Sequence, residues 1–238
     1  MKKYRGLRGI AGITVSTRQI RTQGGDIHDL KVRCVCGPCN NGWMRKLESR
    51  VRPLIVPLLD GQRVRLLPSD YKSIAVWAGM NAMVMEYERL GHVTTHHTQR
   101  RMLMNKGELP KIGWKIWIGN FVRNESRMHY ASHPFFFIHG KIKKSLGQPT
   151  TYFNGNATTQ VVKQLFIHII RSPVSFVVDR WQFDSAVAGK LRVIWPTSDI
   201  SIIWPPQIIG DDEAEYLATA FYTALERSTR EALARGEA

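Results

Sequence analysis

The spacing of apolar residues changes once along the chain, and that change constrains the fold more than any single motif. From Trp43 the apolar positions Trp43, Leu47, Val51, Leu54 and Leu58 recur every three or four residues, the period of a helix that buries one stripe. Pro53 and Pro57 are expected to kink or end it, because proline has no N–H for the helical ladder. A second helix, capped by Ser69 or Asp70, is predicted to run through Arg89. Its residues Ile74, Val76, Trp77, Met80, Met83, Val84 and Met85 spread around the whole circumference, the mark of a buried central helix. Thr94–Asn105 is predicted as a short basic helix capped by Thr94 or Thr95. Beyond it the pattern shortens: Trp114–Phe121, Tyr130–His139, Leu191–Trp195 and Ser201–Trp204 are aromatic and β-branched segments set off by Gly, Pro, Asn and Asp, which predicts antiparallel strands. Val161–Ile170 fits a helix by spacing and a strand by its Ile and Phe content. Asp211, Asp212 and Glu213 open a last helix with the stripe Leu217, Phe221 and Leu225, and Arg227 and Arg230 near its end complement the dipole. Helices followed by antiparallel strands predict an α+β fold.

The N-terminal part reads differently. Residues 1–27 scatter glycines among arginines and β-branched residues, consistent with short strands or a weakly ordered arm. His28–Cys36 alternates Leu30, Val32, Cys34 and Cys36 with charged neighbours, the pattern of a strand, which places Cys34 and Cys36 on one face. Gly37-Pro38 breaks it and Asn40-Asn41-Gly42 is expected to turn. Cys36 and Cys39 form a C-x-x-C knuckle, in which two thiolates converge on a soft cation such as Zn²⁺ at about 2.3 Å. A structural zinc site takes four ligands. Either Cys34 and His28 complete it, or another pair does, or the thiols are unligated. Three clustered cysteines suit metal ligation in a reducing cytoplasm better than a disulfide framework.

The charge is also localised. Of a net +15, residues 1–50 hold +8, from 11 basic and 3 acidic side chains, and residues 101–150 hold +7. Two such zones attract a polyanion and support salt-sensitive phosphate contacts. Arg45, Lys46, Arg50 and Arg52 lie off the apolar stripe of the first helix, which predicts a basic side offered to DNA. His96, His97, Arg100 and Arg101 read more readily as solvated surface, and Trp114, Trp117 and Phe135–Phe137 as core rather than as base-stacking groups. The apolar runs Ile74–Met80 and Val161–Ile170 fall far short of the roughly 18 residues of a membrane span, and arginines interrupt any secretory signal, so a cytoplasmic protein without membrane contact is expected. The absence of a Walker motif, G-x-G-x-x-G and G-x-S-x-G leaves nucleotide-dependent and serine-hydrolase functions without support.

The run Cys36-Gly37-Pro38-Cys39-Asn40-Asn41-Gly42-Trp43-Met44, followed by Arg45-Lys46-Leu47-Glu48, resembles the second half of the HNH-type, ββα-metal endonuclease-like proteins of bacteria and their phages. The resemblance covers about Ile27–Leu59. It implies a partial zinc-knuckle ββα region over residues 1–60 and a mixed helix and antiparallel-strand domain of unassigned role over 61–238. In that family a first cysteine pair and an acidic-His dipeptide precede this region; the His is the general base, and a Mg²⁺ or Mn²⁺ ion stabilises charge at the scissile phosphate. Carried over by position, Cys36 and Cys39 are structural zinc ligands and Asn40 is the helix-borne residue of the nuclease site. The chain departs from the pattern upstream: no cysteine precedes Cys34, and His28, the sole upstream histidine, is followed by Asp29 in reversed order. His28 is the candidate replacement base. The resemblance thus implies either a copy shortened at its N-terminus or a degenerate, nuclease-derived member retained for binding; the alternative is a non-catalytic DNA-binding or phage accessory protein.

Overall fold

The computed structural model describes residues 13–17, 34–88, 93–122, 130–139 and 152–234. Its elements keep the order anticipated from the spacing. After β1 (Ile13–Thr17), a helical stretch begins with α1 (Gly37–Cys39), widens into a π turn (Asn40–Met44) and continues as α2 (Arg45–Leu59). Next come β2 (Val64–Leu66), α3 (Pro68–Met85), a 3₁₀ turn (Glu86–Glu88) and α4 (His97–Lys106). The strands β3 (Trp114–Phe121), β4 (Tyr130–His139), β5 (Tyr152–Val162) and β6 (Leu165–Arg171) come after it, then the short helices α5 (Ser175–Asp179) and α6 (Ser185–Ala188). The chain closes with β7 (Leu191–Trp195), β8 (Ile202–Trp204), β9 (Ile208–Ile209) and α7 (Asp211–Ala234). The fold is α+β.

One seven-stranded sheet organises the molecule in the order β1-β4-β5-β6-β3-β7, with β9 added parallel to β3 and every other pairing antiparallel. A second ribbon pairs β2 with β8. Successive side chains of a strand point to opposite faces, so Ile116, Ile118, Ile167 and Ile169 join a core with Val51, Ile55 and Leu58 of α2 and Ile74 and Met80 of α3. Trp117, Phe166 and Ile170 face the other way, into a core with Val177, Val178, Leu217 and Phe221 from α5 and α7. Sequence neighbours on either side of residue 60 therefore pack in a common core. Within the second core Trp181 meets Phe221 edge-on at 5.0 Å and Trp117 meets Phe183 at 5.2 Å, favourable geometries for aromatic rings. Trp114, Trp117 and Phe135 are thus core residues. Gly155 sits opposite Phe135 because a Cβ there would fall 2.0 Å from the ring.

Several local expectations are corrected. The ambiguous run 161–170 is a hairpin: β5 ends at Val162, Lys163 turns with φ 49°, and β6 returns. All seven residues of β6 are buried, so the strand lacks alternation, and the two-residue turn supplied the helix-like spacing. The prolines do not end α2. Pro53 is exposed and Pro57 half-buried on its outer side, where water can satisfy the carbonyls they leave unpaired. Asp70 lies inside α3, its carboxylate accepting from the Leu67 N–H at 2.8 Å, and the N-cap is Leu67. Thr94 and Thr95 do not cap α4; His96 does, its Nδ1 accepting from the Thr98 N–H. In α7, Arg230 pairs with Glu226 one turn back, and the helix runs beyond it to Ala234.

Two polar groups of residues are enclosed on opposite faces of the sheet. Glu86, 5% exposed, accepts from the backbone N–H groups of Thr94 (3.1 Å) and Thr95 (3.0 Å) and from their hydroxyls (2.9 and 2.7 Å). It also pairs with Arg100 at 2.6 Å and Arg171 at 3.4 Å, while Arg171 donates to the Thr94 hydroxyl. Arg100 is therefore engaged with the end of α3 rather than solvated. On the other face His168 is fully buried with Nδ1 2.8 Å from the Thr159 hydroxyl, and His133 is buried beside Tyr222 with neither ring nitrogen hydrogen-bonded among the described residues.

Candidate nucleic-acid interface

The helical stretch begins at Cys36, whose extended backbone (φ −72°, ψ 156°) and carbonyl, accepting from the Asn40 N–H at 3.0 Å, make it the N-cap. Pro38 lies in the first turn, where its missing N–H has no ladder partner to lose. Cys39 comes one turn later, which brings the two thiols into hydrogen-bonding reach. Cys36 is exposed and Cys39 half-buried. The backbone N–H and thiol of Cys39 both favour a Cys36 thiolate and draw its pKa below the ordinary thiol value. Cys39 is pushed up, chiefly because its proton is shared with Cys36, while the neighbouring Trp43 indole opposes that shift.

The third thiol turns away. Cys34–Cys36 are not in a strand, and the Cys34 thiol points at the Val84 carbonyl at the end of α3, 3.9 Å distant. Burial raises its pKa, with the Arg100 guanidinium opposing. The expected alternation that would bring Cys34 to the knuckle is thus replaced by a contact across 50 residues, for which neither spacing nor composition gives a signal. Cys36 and Cys39 supply two thiolates of the type a zinc site uses, half of its usual complement, and no group of three or more His, Cys, Asp or Glu side chains suited to a metal occurs among the described residues. His28 lies outside the described residues. Asn40 is exposed at the first position of the π turn, directly after the knuckle.

The π turn arises because the Arg45 N–H bonds to the Asn40 carbonyl, five residues back. The run Asn40-Asn41-Gly42, expected to form a turn that precedes the helix, is therefore helical, and the thiol pair leads into α2 without interruption. On α2, Val51, Ile55 and Leu58 are buried and Arg45, Lys46, Arg50 and Arg52 exposed, as the stripe requires. At about 100° per residue the four cations span an arc of roughly 160° on the outward side, with Ser49, Pro53 and Val56 between them. None of the four forms an ion pair with another described residue, and Glu48 is the single acidic side chain on the helix. This arc is a convex, cation-bordered surface able to approach phosphates. The second basic zone is only partly described; within it Lys115 is half-buried, donating to the Trp181 carbonyl at 3.0 Å over the Trp117 ring, and burial lowers its pKa. No described helix is long and apolar enough to cross a membrane. The chain matches no protein-family model, no curated protein and no solved structure.

Proposed function

We propose that the chain is a nuclease-derived protein that binds duplex DNA through the outward face of α2. The observation that carries this reading is the combination on one helix of a C-x-x-C opening, resembling the HNH-type knuckle, with four exposed cations free of ion pairs to described residues. The buried stripe holds the helix axis against α3, so the cations are presented from a rigid scaffold. Rigid presentation lowers the ordering cost of each phosphate contact. Contacts from such cations go to phosphates, so binding is driven by counterion release and depends little on sequence. No hydrolytic step is assigned, because the candidate base, His28, lies outside the described residues. Should a zinc ion be held here, Cys36 and Cys39 would contribute two of its ligands.

Fluorescence anisotropy with a labelled duplex across a salt series tests the reading. Log affinity should fall linearly with log salt, by about 0.9 per phosphate neutralised. Replacing Arg45, Lys46 and Arg50 together by Gln should flatten the slope by roughly two to three units. The core should be intact, since none of the three side chains is buried. A triple variant with the parental slope would mean that α2 is a solvated face.

A further inference from the structure

The juxtaposed thiols at the head of the helix have a chemistry that the nucleic-acid reading does not use. Cys36 and Cys39 are one helical turn apart, so their Cβ atoms are separated by about 5–6 Å in a regular turn, a gap that a small rotation at the N-cap closes to the roughly 3.5–4.5 Å a disulfide requires. Cys36 is exposed at the N-cap, where no preceding helical residue fixes it. Cys39 is half-buried and ends the same three-residue turn that Cys36 caps. The third thiol cannot compete readily, because Cys34 is directed at the Val84 carbonyl. Gly37 has open space around its Cβ position and Pro38 holds the turn, so the loop between the thiols closes without displacing a core residue.

We propose that Cys36 and Cys39 form a thiol–disulfide exchange site that cycles between a dithiol and an intramolecular disulfide, with a low-molecular-weight disulfide as reaction partner. In the forward direction the exposed Cys36 sulfur, as thiolate, attacks one sulfur of the incoming disulfide; that S–S bond breaks and the first small thiol departs with the electron pair, taking up the proton Cys36 released. The mixed disulfide is then attacked by the Cys39 thiolate at the Cys36 sulfur, forming the Cys36–Cys39 bond and releasing the second small thiol with the other proton. The protein loses two electrons and two protons, and the small disulfide gains both to become two thiols. The exposed group meets the partner and the sheltered one resolves the intermediate. The exchange concerns the chain with its thiols free of metal, and it stands or falls separately from DNA binding, since it involves none of the α2 cations.

The test uses the full chain, stripped of metal by a chelator and reduced, then mixed with oxidised glutathione and quenched by alkylation at timed intervals. Mass spectrometry of the digested protein should find a Cys36–Cys39 link with Cys34 alkylated, fully reversed by dithiothreitol. Cys39→Ser should instead trap glutathione on Cys36, and Cys36→Ser should react about tenfold more slowly than the parent. Cys34→Ser should leave the rate unchanged, which guards against a variant that fails through misfolding. Persistent glutathione adducts on the parent chain, a principal link through Cys34, or three unreacted thiols would each overturn the proposal. A changed DNA affinity in any of these samples bears on the α2 reading alone.

Discussion

The two enclosed polar groups on either face of the sheet are similarly buried, yet they differ in how fully their polar atoms are met. On the α3 face Glu86 remains an acceptor because both of its oxygens are met by donors: the N–H and hydroxyl groups of Thr94 and Thr95 and the guanidinium groups of Arg100 and Arg171. On the α7 face neither nitrogen of His133 is hydrogen-bonded among the described residues and His168 meets only the Thr159 hydroxyl, and burial pushes their pKa values down to about 4 and about 3, the charge of a protonated His133 adding to the shift at His168. Burial also lowers Arg171, to about 10, although Glu86 beside it works in the opposite direction, so the guanidinium keeps its charge at neutral pH. The comparison teaches that a buried ionisable group keeps or loses its charge according to what surrounds it. It also separates two uses of polarity: the Glu86 group ties the end of α3 to α4 and β6, while the histidines fill a mainly aromatic core as neutral rings.

The sharpest way to break this contrast is to remove the anion from the ionic group. Glu86→Gln keeps the shape but leaves Arg171 and Arg100 facing a neutral amide, and urea unfolding should show a loss of about 3–5 kcal/mol. Arg171→Met should cost less, because Glu86 would retain Arg100 and the donors of Thr94 and Thr95. Equal losses for the two would contradict the asymmetry. Acid probes the other face. The folded-state pKa of each histidine lies below its unfolded value near 6.5, so the stability associated with a neutral ring is present above that value and is lost as the pH falls toward about 4 and about 3. By pH 5 each imidazole should have removed about 2 kcal/mol, readable as a falling urea midpoint between pH 7 and 5. The smallest effect is expected from His133→Leu. With neither ring nitrogen hydrogen-bonded, the replacement should change stability at pH 7.5 by no more than about 1 kcal/mol while halving the acid dependence. A loss of several kcal/mol at neutral pH would reveal a partner for the imidazole.

Legibility in the sequence divides in the same way between local and distant causes. The bounds of β3, β4 and β7 coincide with the aromatic and β-branched runs, because edges marked by Gly, Pro, Asn and Asp are local signals. The all-round apolar surface of α3 correctly placed it between other elements, and the stripe of α7 is fully buried at Leu217 and Phe221. Features set by remote partners were not legible. Thr94 and Thr95 have the side chains of helix caps, and only the enclosure of Glu86 explains why their hydroxyls point elsewhere. The candidate interface was legible in part. The exposure of Arg45, Lys46, Arg50 and Arg52 reflects helical period, whereas the diversion of Cys34 depends on Val84, and the helical state of Asn40–Met44 on one carbonyl bond of unusual span.

That wide turn has a geometric consequence. A turn that closes on the fifth residue holds about one residue more than an α-helical turn, so the segment before it is rotated by roughly 100° about the axis relative to the helix beyond it. The stripe of Val51, Ile55 and Leu58 clamps α2 against α3, and the extra residue sets the direction in which the sulfur pair looks out beside the guanidinium and ammonium groups. Excising Gly42 would leave the clamp in place and swing the sulfurs around by about a quarter turn. The azimuth between two reactive surfaces is thus stored in the residue count of one loop of backbone, an adjustable dial that substitution of side chains does not reach.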